Sequence, residues 1–94
     1  MAFERLSEKQ DIILYRISIL QDEQGRQSSL KLKKDIDADS MYTELLDKEY
    51  LTYEQYGDGD DAVCSLIITL KGQRYCYQYL DEIAKLDKES RQQW

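Results

Sequence analysis

Apolar residues recur at helical spacing in the first quarter of the chain. Ile13, Ile17 and Leu20 fall at i, i+4 and i+7 with Ile12 beside them, while Asp11, Arg16 and Ser18 lie between. This pattern predicts an amphipathic helix with an apolar stripe and a polar face. Ser7-Glu8-Lys9-Gln10 has the S-x-x-Q form of a capping box and sets the start just after Ser7. Gly25 sets the stop.

Arg26 to Ser29 reads as a connector able to give a single strand-like bridge. Ser28 or Ser29 then caps a brief second helix through Leu30, Leu32 and Ile36, although the alternation in KLKK also fits a strand. Asp37-Ala38-Asp39-Ser40 is a turn ending in good cap residues. A third helix is predicted from Met41 to about Glu49, with Met41, Leu45 and Leu46, and also Tyr42, turned inward. Asp39 at its start complements the helix dipole.

The period then changes from helical to alternating. Leu51 to Tyr56 and Ala62 to Ile68 are rich in β-branched and aromatic residues, and Gly57-Asp58-Gly59-Asp60-Asp61 between them is turn chemistry. A β-hairpin is expected, its second strand partly apolar on both faces. Thr69 can cap a last helix that begins Leu70-Lys71-Gly72 and buries Cys76, Tyr79, Leu80, Ile83 and Leu86. Asp87 to Trp94 reads as a polar tail that frays. The sum is a single α+β domain over residues 1–94, with a core from about residue 6 to residue 86.

Three helices, a hairpin and a closing helix is the order of a winged helix-turn-helix domain. Two local stretches carry the resemblance. LSEKQDIIL (Leu6 to Leu14) resembles the L-T-x-K-Q-x-x-I-L opening of the first helix in many bacterial winged-helix regulators. ELLDKEYLT (Glu44 to Thr52) with IITLKGQRYCYQYL (Ile67 to Leu80) is similar to their L-x-x-K-G-Y-I … L-T-x-K-G-x-x-Y-L pattern. The nearest likeness is to PadR- or MarR-like domains and to short winged-helix proteins of Gram-positive bacteria and their phages. The resemblance implies a winged-helix fold and a place in gene regulation. One departure is Glu49, which stands where the pattern has glycine, so the turn out of the third helix lacks easy left-handed backbone. In physical terms Thr69 serves as a cap and Gly72 permits a close helix–strand approach. Tyr50 and Leu51 plug the core at the base of the hairpin.

Charge changes what that fold can do. The chain carries −6 net, yet Asp35 to Asp61 alone holds ten acids against one base, Lys48. The remaining residues hold nine acids and twelve bases. A helix-turn-helix protein lays its second motif helix in the major groove and binds largely through phosphate contacts. Here that helix would present Thr43, Glu44, Asp47 and Lys48, and the hairpin Glu54, Asp58, Asp60 and Asp61. At physiological salt screening acts over about 8 Å, so repulsion at contact range would persist. The acidic face is therefore expected to bind protein rather than nucleic acid. The contrary signal is Arg26 with Lys31, Lys33 and Lys34, the one basic cluster, which offers an alternative DNA-binding surface or simply balances nearby aspartates.

Other candidate chemistry is sparse. The chain has no histidine, which removes the usual general base and the commonest zinc ligand. Asp35-x-Asp37-x-Asp39 resembles the start of an EF-hand loop, but Ser40 and Leu46 stand where that loop needs glycine and a bidentate glutamate. Asp58-Gly59-Asp60-Asp61 reads as a solvated hairpin tip. Cys64 and Cys76 would allow one disulfide but are read as reduced core residues. No catalytic residue, cofactor, metal or small-molecule substrate is expected. Apolar runs fall short of the ~18 residues that span a bilayer, and a cytoplasmic protein is the expectation. Tyr75, Tyr77 and Tyr79, with Tyr50, Tyr53, Tyr56 and Trp94, suggest a dimer or partner surface, since aromatics are enriched at interfaces.

Overall fold

A computed structural model describes residues 3–24 and 30–92. Helix α1 (Glu8–Gln24) leads to strand β1 (Leu30–Leu32), helix α2 (Lys33–Ala38) and helix α3 (Ser40–Asp47). Strands β2 (Leu51–Tyr56) and β3 (Val63–Ile68) form the hairpin, and helices α4 (Leu70–Gln78) and α5 (Leu80–Gln92) close the chain. The fold is α+β, with one three-stranded antiparallel sheet of order β1-β3-β2. No described helix is long and apolar enough to cross a membrane.

The α1 capping box forms as expected. The Gln10 N–H donates to Ser7 Oγ, and the Ser7 N–H donates to Gln10 Oε1, each at 3.2 Å. The helix continues to Gln24; Gly25, Arg26 and the expected bridge before Leu30 lie outside the described residues. Leu14 and Ile17 are buried in its stripe, while Ile12, Ile13 and Leu20 are only half-buried. Asp11 departs from the expected polar face, because it is wholly buried for a reason given below.

The second helix is shorter than expected. Leu30 to Leu32 form the strand that the KLKK alternation also allowed, paired antiparallel with Ser65 to Val63 of β3. Helix α2 follows without a side-chain cap from a serine. Asp39 then caps α3 by accepting the Met41 N–H at 3.0 Å.

The end of α3 settles what replaces the missing glycine. Glu49 itself adopts φ +65°, the left-handed conformation. The Tyr50 N–H donates to Leu45 O at 3.0 Å and the Glu49 N–H to Leu46 O at 3.1 Å, which is the paired bonding of a Schellman motif. Glutamate therefore occupies a site suited to glycine and bears the steric cost of its Cβ there.

The junction with α4 is equally specific. Thr69 accepts the Gly72 N–H at 3.0 Å, and its hydroxyl lies 2.6 Å from Glu49 O. The Thr69 N–H donates to Tyr50 O at 3.1 Å, and Lys71 Nζ donates to Lys48 O at 2.7 Å. A Cβ on Gly72 would stand 2.3 Å from that same Tyr50 carbonyl oxygen. The crossing is possible only because position 72 has no side chain.

Two expectations about the C-terminal third are corrected. The last helix is not continuous: Tyr79, at φ −113° and ψ 25°, separates α4 from α5. Its hydroxyl donates to Phe3 O at 2.5 Å and its ring lies 4.3 Å from the Arg5 guanidinium, so it is held by the N-terminal arm. As a result Leu80 faces solvent instead of the core. Nor does the chain fray from Asp87, since α5 runs to Gln92 and Asp87 is buried. Arg16 Nε donates to its carboxylate at 2.7 Å and Arg91 Nε at 3.1 Å, which anchors α5 on α1.

The packed side chains make two predictions. Gly72→Ala should lower stability by about 1–3 kcal/mol or more in a denaturant titration, because the atom it meets is backbone and cannot swing away. Glu49→Gly should raise it by about 0.5–1 kcal/mol, since relief of left-handed strain exceeds glycine's extra chain entropy. A fall for Glu49→Gly would show that the glutamate side chain contributes more than its backbone costs.

Candidate interaction surface

The acidic residues singled out from sequence occupy three neighbouring elements. The connection between β2 and β3 contains a 3-10 turn (Gly59–Asp61), and Gly57 and Gly59 supply the two positive-φ residues it needs, at +84° and +73°. This turn packs against α2, where the Lys33 N–H donates to Ala62 O at 2.9 Å. Helices α2 and α3 pack together in turn. The aspartates of the hairpin tip and of α2 thus share one edge of the molecule, beside α3.

Their side chains differ in freedom. Asp47 on α3 and Asp58, Asp60 and Asp61 on the hairpin are exposed, and among the described residues no ion pair reaches them. Glu44 is exposed but tied to α1, accepting a 2.7 Å hydrogen bond from Gln10 Nε2. Glu54 is half-buried and accepts from the Tyr56 hydroxyl at 3.0 Å.

The hairpin is also short in reach. Val63, the first residue of β3, pairs with Leu32 of β1 on one side and Tyr56 of β2 on the other. The ladder therefore ends level with β1, and only the six residues between Tyr56 and Val63 lie beyond it.

The lysines are divided between β1 and α2. Lys31 lies on β1, with Nζ 4.9 Å from the centre of the Tyr42 ring. Lys33 pairs with Asp37 at 2.6 Å across one turn of α2, and that bond raises its pKa. Lys34 is exposed, and Arg26 lies outside the described residues. Each of the two placed lysines with a partner is already partly answered.

Of the three tyrosines expected at a dimer surface, one remains available. Tyr75 is wholly buried, its ring 5.3 Å from that of Tyr50 and 5.1 Å from that of Tyr79. Tyr79 is half-buried against the N-terminal arm. Tyr77 is 81% exposed. A helical period of 3.6 residues separates adjacent odd positions widely, which is why alternate tyrosines part company here. Trp94 lies outside the described residues.

Sequence reasoning missed the buried polar node beneath this surface. The Tyr75 hydroxyl donates to Asp11 Oδ1 at 2.6 Å and accepts the Leu6 N–H at 2.8 Å. Arg5 Nη2 donates to Asp11 Oδ2 at 2.7 Å, and the Arg5 guanidinium also bridges Glu82. Every buried atom here has a partner, as burial of a carboxylate demands. Burial, and then the neighbouring Asp11, hold the Tyr75 phenol above its ordinary range. The helical pattern gave no signal, since it set Asp11 on the polar face, and its arginine lay in an arm with no period to read. Cys64 and Cys76 are free and buried, and burial pushes the Cys76 thiol up to about 11.

Compared with protein-family models, with curated proteins and with solved structures, the chain gives no match, so the reading of this surface rests on its own residues.

Tyr75→Phe leaves the Asp11 carboxylate short of one donor in a buried setting, and should cost about 1–3 kcal/mol in a urea titration. The sign with pH follows from the raised phenol. Its contribution is in place below the ordinary tyrosine value of 10.0 and declines as pH rises past it. Part of the alkaline loss of stability should therefore vanish in the variant.

Proposed function

We propose that this chain is a non-catalytic winged-helix module that works through protein contacts, as a dimer or as an accessory factor in gene regulation. Its acidic α3 and hairpin face receives a basic partner. The element order and the strand order β1-β3-β2 support the winged-helix reading, with α2 and α3 as the helix-turn-helix pair and the β2–β3 hairpin as the wing. Thr69, Gly72 and the Schellman turn at Glu49 support it locally.

The observation that carries the protein-contact reading is the set of exposed carboxylates that no ion pair reaches among the described residues, Asp47, Asp58, Asp60 and Asp61, beside Glu44 and Glu54. A DNA-binding module of this shape grips phosphates with cations on the third helix and wing. Here those positions repel phosphates, and a hairpin that ends level with β1 has little reach into a groove. A lysine- and arginine-rich protein segment meets neither objection, and charge complementarity would speed its encounter. The second reading is a DNA-binding regulator that uses Arg26, Lys31, Lys33 and Lys34. Exposed Lys34 favours it; the pairing of Lys33 with Asp37 weakens it.

Two titrations separate the readings. Bulk duplex DNA at low salt should give no electrophoretic shift. A labelled arginine- and lysine-rich peptide should bind saturably in fluorescence anisotropy and weaken with salt. Changing Asp58, Asp60 and Asp61 to lysine should abolish that binding. Changing the exposed Glu4, Glu8 and Glu89 to lysine, an equal charge change elsewhere, should leave most of it. Saturable DNA binding, lost when Lys31, Lys33 and Lys34 are reversed, would overturn the protein-contact reading.

A further inference from the structure

Three of the large exposed apolar side chains lie along α4 and its junction with α5: Leu70 at 62% exposure, Tyr77 at 81% and Leu80 at 41%. Tyr77 is a knob between two hollows. An open depression of about 520 Å³ lies on one side, lined by Phe3, Leu70, Gln73, Arg74, Tyr77 and Gln78. A second of about 400 Å³ lies on the other, with Tyr77, Leu80 and Asp81 in its wall. A projecting ring beside a hollow able to take such a ring is a surface that can fit a copy of itself.

The charges around the knob have the same property. Arg74 and Asp81 are exposed, and among the described residues neither forms an ion pair. The nearby Lys71 and Glu82 are already engaged, by Lys48 O and by Arg5. Arg74 lines the first hollow and Asp81 the second, with Tyr77 in the wall of both, so opposite charges flank the knob. A two-fold contact centred on Tyr77 would set the Arg74 hollow of each copy against the Asp81 hollow of the other. The same operation aims each Tyr77 at the partner's hollow. A two-fold contact requires a patch that complements itself, and this one offers a central aromatic side chain with a free cation on one side and a free anion on the other among the described residues.

We infer that a second copy of this chain docks on the Tyr77 face, antiparallel across the α4–α5 junction, with Arg74 and Asp81 paired reciprocally. The inference deepens the protein-contact reading by naming one occupant for one face, and rests on it only in that respect. It needs neither the acidic edge nor its basic partner.

Light scattering after size exclusion, over micromolar to millimolar protein, should find a concentration-dependent dimer. Tyr77→Ser, on a side chain that supports no core, should make it monomeric while leaving the thermal midpoint of the monomer in place. Arg74→Asp and Asp81→Arg should each weaken association by at least about tenfold, because each sets like charges face to face twice in the dimer. The exchanged protein carrying both substitutions should recover most of the affinity, a rescue that a merely structural role for either residue would not give. A monomer at every concentration would overturn the inference, as would a dimer indifferent to Tyr77→Ser and to the charge exchange. Either failure would leave the basic-peptide titration, read on Asp58, Asp60 and Asp61, to stand or fall on its own.

Discussion

The carbonyl oxygen of Tyr50 is the point on which this fold turns. It accepts the Thr69 N–H, lies within reach of the Thr69 hydroxyl, and sits where a side chain at position 72 would have to go. One backbone atom thereby fixes the exit of α3, the start of β2, the end of β3 and the entry to α4. Two pairs of consecutive elements, joined at residues 19 positions apart, are thereby held together. Glu49 accepts left-handed backbone because this joint leaves its peptide no other course. Strain of this kind persists when the surroundings over-determine a conformation.

A second layer of constraint is electrostatic. Asp11 and Asp87 are both buried, and both are answered by arginine, Asp11 from Arg5 and Asp87 from Arg16 and Arg91. Buried ion pairs contribute little net stability against apolar substitutes, but breaking one side leaves an uncompensated charge. Their effect is therefore positional. Asp87 sets where α5 lies along α1, and Asp11 draws the N-terminal arm over Tyr75. That arm then holds Tyr79, which is where the closing helix divides and swings Leu80 outward. The exposed apolar patch at the α4–α5 junction is in this sense a product of the polar node beneath it.

Much of the architecture was legible in the sequence because it depends on local chemistry. Ser7 with Gln10, Asp39 before Met41, Thr69 before Gly72, and the two glycines of the hairpin each dictate a bond that forms within a few residues. The acidic edge was legible for a different reason, since net charge over a stretch survives most errors in element boundaries. Where expectation failed, the cause was an interaction between distant residues. Asp11 looked like a solvent-facing residue until Arg5 and Tyr75 were brought to it. Asp87 looked like the start of a polar tail because Arg16 lies 71 positions away. Tyr75, Tyr77 and Tyr79 were grouped as one candidate surface although they cannot share a face, because periodicity alone does not tell which of two offset faces a neighbouring element will cover. The acidic residues could be assigned to a surface, but the difference between free Asp58 and tethered Glu44 needed the position of Gln10.

The hairpin that stops level with β1 has a mechanical consequence. A projecting ribbon can wrap a rod from two sides and hold it against sideways slip. A blunt edge gives no such purchase, so for the proposed partner resistance to lateral sliding would have to come from its own protrusion or its own curvature. If the proposed partner docks at this edge, its recognition would be a matter of what it brings to the module, whose part would be to keep still and stay charged.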